Sequence, residues 1–566
     1  MYTEIPGIVM IYLAVLAFAW PLGRYIAAVY DGKPHFSDRI FGRAETLLYR
    51  LSGVDPTQEM GWKEHIKALL LINLLWFFFA MLVLMNQSWL PLNPDQNPDM
   101  SPHLAFNTAV SFLVNCNLQH YSGETGLSYF SQIVCIMFLQ FVTAGTGMAA
   151  AAMVFRAMRA RTATTFGNFY VYFVRSCTRV LLPVSFIAAV LLAFSGTPMT
   201  FEGKQEMTGL EGDTVQVSRG PAAAMIAIKQ AGTNGGGFFG VNSAHPLENP
   251  TYFSNMLENM LILLIPVAMV FALGFYLKRK KLAWTIFGVM TLGFFMLLVP
   301  AVYQEMQGNP ALDAMGIAQE QGNSEGKETR LGAAASAFWG VSTTVTSNGS
   351  VNSMHDSHMP LSGAMQMLGM MINSLYGGVG VGFLNFYIFI ILAVFISGLM
   401  VGRTPEFLGK KIEAREMKIA MITALLHPLL ILCGTALSAY IYHRNPEVGW
   451  LNNSGFHGFS EMLYEYTSSA ANNGSGFEGL GDNTPWWNIS TGIVLLLSRY
   501  LPIIGPLAIA GILAAGKSIP EGPGTLRIDT PTFGLVVFAV IFIVAALSFF
   551  PALTLGPLAE YFTFSK

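Results

Sequence analysis

The sequence predicts an all-α polytopic membrane protein, with about ten transmembrane helices and four membrane–pore–membrane repeats around one axis. Three observations carry that prediction. Of 566 residues, 53% are hydrophobic and 11% charged, against roughly 25% charged in soluble domains, and the mean hydropathy is +0.49. About ten apolar stretches approach the ~20 residues that a spanning helix needs. Between them, a short helix-like segment followed by a small polar cluster occurs four times at near-constant spacing.

The spans read roughly as 5–28, 68–88, 128–155, 176–196, 252–277, 282–303, 363–400, 418–442, 487–515 and 531–553. MYTEIPGIVM carries Glu4 where a signal peptide has a basic region, so 5–28 is read as the first span. The stretch 363–400 is too long for one straight span, and its middle reads YGGVGVG, Tyr376 to Gly382. Each glycine weakens a helix interior by about 1 kcal/mol, so an unwound break is expected there. With Glu4 outside, 23 of the 31 Lys and Arg fall at the inner ends and inner loops. That bias places both termini outside. Cys116, Cys135, Cys177 and Cys433 have no metal or disulfide spacing and read as buried small hydrophobes. The composition points to lipid, and no nucleic-acid partner is expected.

The four short segments are HLAFNTAVSFLVN from His103, GPAAAMIAIKQAG from Gly220, LGAAASAFWGVSTTV from Leu331 and FHGFSEMLYEYTSSA from Phe456. All are too short to cross. Pro102 and Pro221 stand where a first helical residue tolerates a missing N–H. The clusters that follow are Asn115-Cys116-Asn117, Thr233-Asn234-Gly235, Ser347-Asn348-Gly349 and Asn472-Asn473-Gly474, with third residues 118, 114 and 125 positions apart. The chain thus divides into an extra helix at 1–30, repeats at 64–156, 170–277, 282–401 (with a broken second helix) and 415–515, and a final extra helix at 530–566.

Irregular backbone at membrane depth is tolerated where it lines a cavity or is buried in protein. A short helix entering from outside aims about half a negative charge inward at its C-terminus, and the turn beyond it presents carbonyls that can replace an ion's hydration shell. Alternate residues must then leave the ordinary backbone regions. Glycine does so freely, and Asn, which stands third in the first repeat, visits the left-handed region more readily than most residues. No cluster carries a formal charge, which points to a dehydrated monovalent cation rather than calcium.

TNGGGFFGVNSAHPLENP, SMHDS, GGVGVG, GLMVGRTPEFLGKKIEAREMK, SSAANNGSGFEGL and PALTLGPLAEYF together resemble the KdpA family, the A subunits of potassium-transporting ATPases, related to the Trk/Ktr/HKT transporters. The resemblance covers essentially the whole chain. It implies a subunit that selects K⁺, the transported ion and only ligand, at the four triplets. The ion then passes through an intramembrane tunnel to KdpB, a P-type ATPase subunit, with KdpC and KdpF completing a bacterial inner-membrane complex. It also implies that Gly377, Gly378, Gly380 and Gly382 form a gating loop and that Gln119 lies in the vestibule. Cys116 stands where the family pattern has Thr, and Asn373 where it has Glu.

Several residues invite other readings. GILAAGKS, Gly511 to Ser518, matches a P-loop pattern, but a P-loop follows a strand and opens a helix. Here a spanning helix precedes it and SIPEGPG follows. With no DKTG string either, the chain is not expected to hydrolyse ATP. His355-Asp356-Ser357-His358 reads as polar vestibule structure rather than a zinc site. Arg499 falls mid-span, where a charge costs roughly 2.5–3.5 kcal/mol. It is a candidate for support of the tunnel or filter, as is Asn373. Lys229 reads as snorkelling to the outer surface. The runner-up function is a free-standing Trk/Ktr-like channel or symporter. A proton-coupled transporter would need more carboxylates in its spans.

Overall fold

The computed structural model describes residues 4–209, 211–400, 402–518 and 527–564. Ten of its helices are long and apolar enough to cross a membrane. They and the shorter helices between them follow one order. α1 (Glu4–Asp31) leads to α2 (Phe36–Ser52), too short and too polar to span. α3 (Trp62–Leu84), α4 (Pro102–Leu113) and α5 (Ser131–Arg159) form the first span, pore helix and span. α6 (Phe169–Phe194), α7 (Ala222–Ala231) and α8 (Tyr252–Tyr276) form the second set.

The third set is α9 (Lys280–Gln307), α10 (Ala333–Val345), α11 (Pro360–Ile372) and α12 (Val381–Met400). The fourth is α13 (Ala414–Arg444), α14 (Gly455–Ala471) and α15 (Pro485–Ala515). α16 (Pro531–Leu555) and the short α17 (Pro557–Phe564) follow. α1 packs on α8, and α16 packs on α9 and α12.

Local chemistry sets the helix starts. Thr251 accepts from the Ser254 N–H and Ser254 Oγ accepts from the Thr251 N–H, both at 3.0 Å, a reciprocal cap on α8. Pro102, Pro485 and Pro531 each occupy a first helical position. Pro221 instead caps α7, whose helix begins one residue later. α2 is turned inside out. Phe36, Ile40, Leu47 and Leu51 face outward, while Asp38 and Glu45 face the protein and pair with Arg179. That is the pattern of a helix lying in a membrane interface.

The break expected within 363–400 is present: the backbone leaves helical space at Asn373 (φ +47°) and Tyr376 (φ +62°), which separates α11 from α12 and leaves only α12 with spanning length. The acidic loop before α7 holds a hairpin, β1 (Gln205–Thr208) with β2 (Thr214–Val217), and a second small hairpin pairs β3 (Glu406–Phe407) with β4 (Lys410–Lys411). Val215 and Val217 at alternate positions, with Gly212 at φ +89° between the strands, favour the first hairpin. The expectation of four buried thiols needs correction: Cys116 and Cys135 are buried and Cys177, whose Sγ packs on α5 beside Gly145, is half-buried, but Cys433 is exposed on an outward helix face.

Candidate cation-binding site

The four pore helices α4, α7, α10 and α14 end at the four polar triplets, which share one backbone pattern. The first residue of each has positive φ: Asn115 +59°, Thr233 +48°, Ser347 +52° and Asn472 +51°. So does the third: Asn117 +58°, Gly235 +93°, Gly349 +89° and Gly474 +106°. The middle residues Cys116, Asn234, Asn348 and Asn473 do not. Alternation of this kind turns successive carbonyls toward a common side.

The triplets touch in cyclic order. A Cβ placed on Gly235 would lie 1.9 Å from the Asn348 carbonyl oxygen; on Gly349, 2.1 Å from that of Asn473; on Gly474, 2.1 Å from that of Cys116. The ring closes where Gly236 abuts Asn117, whose Cβ is 2.6 Å from the corresponding position. Side chains bracket the turns from behind. Asn348 Nδ2 donates to the Lys229 carbonyl at 3.4 Å and Asn473 Nδ2 to the Thr343 carbonyl at 2.7 Å, each reaching the preceding pore helix one turn before its triplet. Asn115 Nδ2 donates to the carbonyls of Gly232 and Thr233 at 3.1 and 2.9 Å. Cys116, the weak donor of the middle set, packs instead among Val110, Val114, Leu118 and Leu495. The ring therefore offers backbone oxygens and four helix C-termini with no charged side chain in it, an environment suited to a cation that has lost its water.

Residues 373–380, with the first turn of α12, lie directly under the ring. Val379 N donates to Thr233 Oγ1 at 3.0 Å, Gly377 N to the Val345 carbonyl at 2.8 Å, and Ser347 Oγ to Asn373 Oδ1 at 2.9 Å. Gly377 (φ +64°) and Gly380 (φ +80°) hold left-handed conformations, and a Cβ on Gly380 would meet the Gly147 carbonyl at 2.3 Å. A Cβ on Gly378 would come within 3.6–3.8 Å of Ser347, Thr233 and Thr346, and one on Gly382 would strike the Tyr376 carbonyl. Arg499 is buried, its Nη2 close to Gly147 and without a hydrogen-bond partner among the described residues.

Beside the loop opens a cavity of about 60 Å³, room for a few waters. It is lined by Asn373 and Ala470, next to the third and fourth triplets, and by Phe389, His427 and Phe549 on α12, α13 and α16. Asn373 and Arg499 thus occupy different places: one lines the cavity, the other stands beside Gly147, where α5 abuts the loop at Val379.

On the open side of the ring, Gln119 is paired twice with Gly237: its Oε1 accepts from the backbone N–H at 2.9 Å and its Nε2 donates to the carbonyl at 3.2 Å. His120 bridges Glu465 (3.1 Å) and Asn488 (2.7 Å). Burial pushes its imidazole down, but Asp482 and the Glu465 hydrogen bond outweigh that and hold it at about 9. The residues of HDSH diverge: His355 meets Tyr464 at 2.9 Å, His358 meets Ser353 at 2.9 Å, and Asp356 turns to His457 at 3.0 Å. Asp356, His457 and Glu461 have potential ligand atoms within 4.8 Å of one another. His457 also donates to Glu560, which leaves both its nitrogens engaged.

Lys229 is not at the surface. It is fully buried and ion-paired with Glu248, because the loop after the second triplet folds back over it. A lone charge in an otherwise apolar pore helix was the available signal. In GILAAGKS, α15 leads into the motif and continues through Gly511 to Ala515, so a helix stands where a P-loop has its strand and its glycine-rich loop. Most of the SIPEGPG that follows lies outside the described residues.

Four re-entrant turns closed into a ring, each flanked by spans, define a membrane transport protein of the pore-loop class. The sequence matches KdpA, the potassium-transporting ATPase A subunit, over residues 9–562, and the chain belongs to that family. It is 67% identical to the potassium-transporting ATPase potassium-binding subunit of Flavobacterium johnsoniae over 100% of both chains. The subunit of the same name from Bacteroides thetaiotaomicron is 62% identical, covering 99% of this chain and 100% of that one. The one from Geobacillus kaustophilus is 48% identical over 98% of each. The crystal structure of the potassium transporter TrkH from Vibrio parahaemolyticus aligns with a TM-score of 0.48 and 12% identity, over 89% of this chain and 97% of that one, too distant to bear on the site.

Proposed function

We propose that this chain is the potassium-binding, channel-like subunit of an ATP-driven K⁺ uptake system. K⁺ enters from the extracytoplasmic side past Gln119 and exchanges its water for backbone oxygens of the four triplets. The loop with Gly377, Gly378, Gly380 and Gly382 closes the straight route below, and the fixed charge of Arg499 discourages passage past it. The ion leaves sideways past Asn373 and through the adjoining cavity to a P-type ATPase subunit, KdpB. KdpC and KdpF complete the assembly in the bacterial inner membrane, with both termini of this chain extracytoplasmic. Hydrolysis belongs to the partner, and this chain binds no cofactor besides the transported ion.

The observation that carries this reading is the repeated left-handed pattern of the four triplets, closed into a ring with no charged side chain in it. A free-standing channel has the same need for such a ring. The match to an ATPase subunit family over nearly the whole chain disfavours that alternative. The test is to purify the tagged chain from its own membranes in mild detergent after growth in low potassium. A stoichiometric partner and ATPase activity that saturates with K⁺ are expected. A chain that purifies alone, without ATPase activity, and conducts K⁺ in liposomes would overturn the subunit assignment.

A further inference from the structure

Behind the second and third triplets lies a sealed polar cluster. Lys229, Gln230, Ser243, Glu248, Glu258 and Ser350 are all fully buried. Lys229 Nζ pairs with Glu248 and donates to Ser243 Oγ at 3.0 Å. Ser243 Oγ donates to Glu258 Oε2 at 2.7 Å, and Gln230 Nε2 reaches the same oxygen at 2.8 Å and Ser350 Oγ at 3.0 Å. The cluster thus ties the end of α7, the loop after it, the first turns of α8 and the residue just past the third triplet into one unit. Lys229 is thus paired directly with Glu248 and joined to Glu258 through the Ser243 hydroxyl, and Glu248 Oε2 and Glu258 Oε1 have no hydrogen-bond partner among the described residues.

The backbone of the same lysine carries the bracket between two turns of the ring. The Lys229 carbonyl accepts from the Asn234 N–H at 2.9 Å and from Asn348 Nδ2 at 3.4 Å. Asn348 is held in turn by the Ser350 N–H, at 2.9 Å from its Oδ1. Glu248 also lies against the backbone beyond the second triplet: a Cβ on Gly237 would come 2.8 Å from its Oε2. In the other repeats the position of Lys229 is held by Ser111, Thr343 and Ser468. Placing a lysine there is costly unless it is paired, and nothing in the helix itself requires one.

We propose that Lys229, Glu248 and Glu258 are positioning residues for the cation site: the sealed ion-paired cluster fixes the Lys229 carbonyl and so the spacing between the second and third triplets. This rests on the reading of the triplets as the K⁺ filter. Replacing a buried ion pair with apolar residues of similar volume is often neutral for folding, whereas removing one partner alone leaves a bare charge. The informative variant is therefore the double replacement Lys229→Met with Glu248→Leu, alongside Glu258→Leu and the conservative Glu258→Gln. Each is made in the intact transport complex and checked for monodispersity and thermal midpoint.

The readouts are the K⁺ concentration for half-maximal uptake, the maximal rate, and Rb⁺/K⁺ discrimination. For the double variant and Glu258→Leu we expect half-saturation to rise about tenfold with weakened discrimination and the maximal rate within about twofold. Glu258→Gln, whose amide oxygen accepts both hydrogen bonds, should stay near wild type. Gly235→Ala in the same assay separates the two readings. If it alters half-saturation and discrimination while the folded cluster variants leave both unchanged, the positioning role is overturned and the filter stands. If none of them alters either readout, the filter reading falls as well.

Discussion

Adding one methyl group to Gly235 tests the ring at its tightest point. The Cβ would sit 1.9 Å from the Asn348 carbonyl oxygen and 2.9 Å from both the Asn348 carbonyl carbon and Gly349 Cα. These are backbone atoms of the neighbouring turn, so no side chain can swing aside. Carbon–oxygen contacts normally lie near 3.3 Å, so the neighbouring carbonyl must retreat by more than about 1 Å. The backbone at φ +93° adds a conformational cost of about 1–2 kcal/mol for a residue bearing a Cβ. If only about 1.4 kcal/mol of this strain appears in ion binding, affinity falls tenfold.

The assay is K⁺-dependent uptake and K⁺-stimulated ATPase activity of the complex in proteoliposomes. Gly235→Ala should raise the half-saturating K⁺ concentration at least about tenfold and admit Na⁺ and Rb⁺ more readily. Gly349→Ala and Gly474→Ala, each with a contact at 2.1 Å, should behave alike. Asn117→Gly should change half-saturation less than about threefold, because glycine adopts that backbone freely and neither amide atom of Asn117 has a hydrogen-bond partner among the described residues. Wild-type affinity and selectivity in a folded Gly235→Ala complex would show that the ion is not held by this ring.

Three further perturbations address the surroundings. Burial depresses the His457 imidazole, but hydrogen bonds to Asp356 and Glu560 raise it to about 10. Its stabilising contribution should be complete below about pH 6.5 and disappear as pH rises through about 10. Thermal midpoints of the purified protein should therefore fall across that window, and a His457→Gln variant with the same slope would contradict the assignment. Asn373→Ala loses the contact with Ser347 and places a Cβ-bearing residue without a polar side chain at φ +47°, a combined cost of about 2 kcal/mol. We expect a lower thermal midpoint and ATP-independent Rb⁺ leak from loaded liposomes; a variant as tight and as stable as wild type would argue against the anchoring role. Lys517→Ala should leave K⁺-stimulated ATPase activity within about twofold of wild type. Loss of nucleotide binding by this chain would instead revive GILAAGKS as a phosphate site.

Much of the site was legible because its constraints are local. A left-handed residue at the third position of each triplet calls for Gly or Asn, and the sequence has Gly235, Gly349, Gly474 and Asn117 there. The helix break at residues 373–380 is visible as glycine clustered from Gly377 onward for the same reason. Less legible were the first positions. Thr233 and Ser347 adopt positive φ although neither residue type advertises it, and there tertiary hydrogen bonds to Val379 and Asn373 override preference.

Lys229 was misplaced because its partner Glu248 is 19 positions further on and Glu258, reached through Ser243, 29, in what reads as an outer loop and the start of a span. Only the fold-back of that loop brings them together. The cavity beside Asn373 arises where α11, α12, α13 and α16 fail to close against one another, a property of packing with no periodic signal. The pairing of Asp356 with His457 rather than with its sequence neighbours has the same origin.

The most direct test of the central claim is to locate the ion. Anomalous diffraction from crystals of the complex soaked in Tl⁺ or Rb⁺ in place of K⁺ would do so. A peak is expected on the axis enclosed by the carbonyls of Asn117, Gly235, Gly349 and Gly474 and of the residues just before them, and it should be lost in Gly235→Ala. A peak confined to another place, such as the Asp356–His457–Glu461 cluster, with none inside the ring, would contradict the claim.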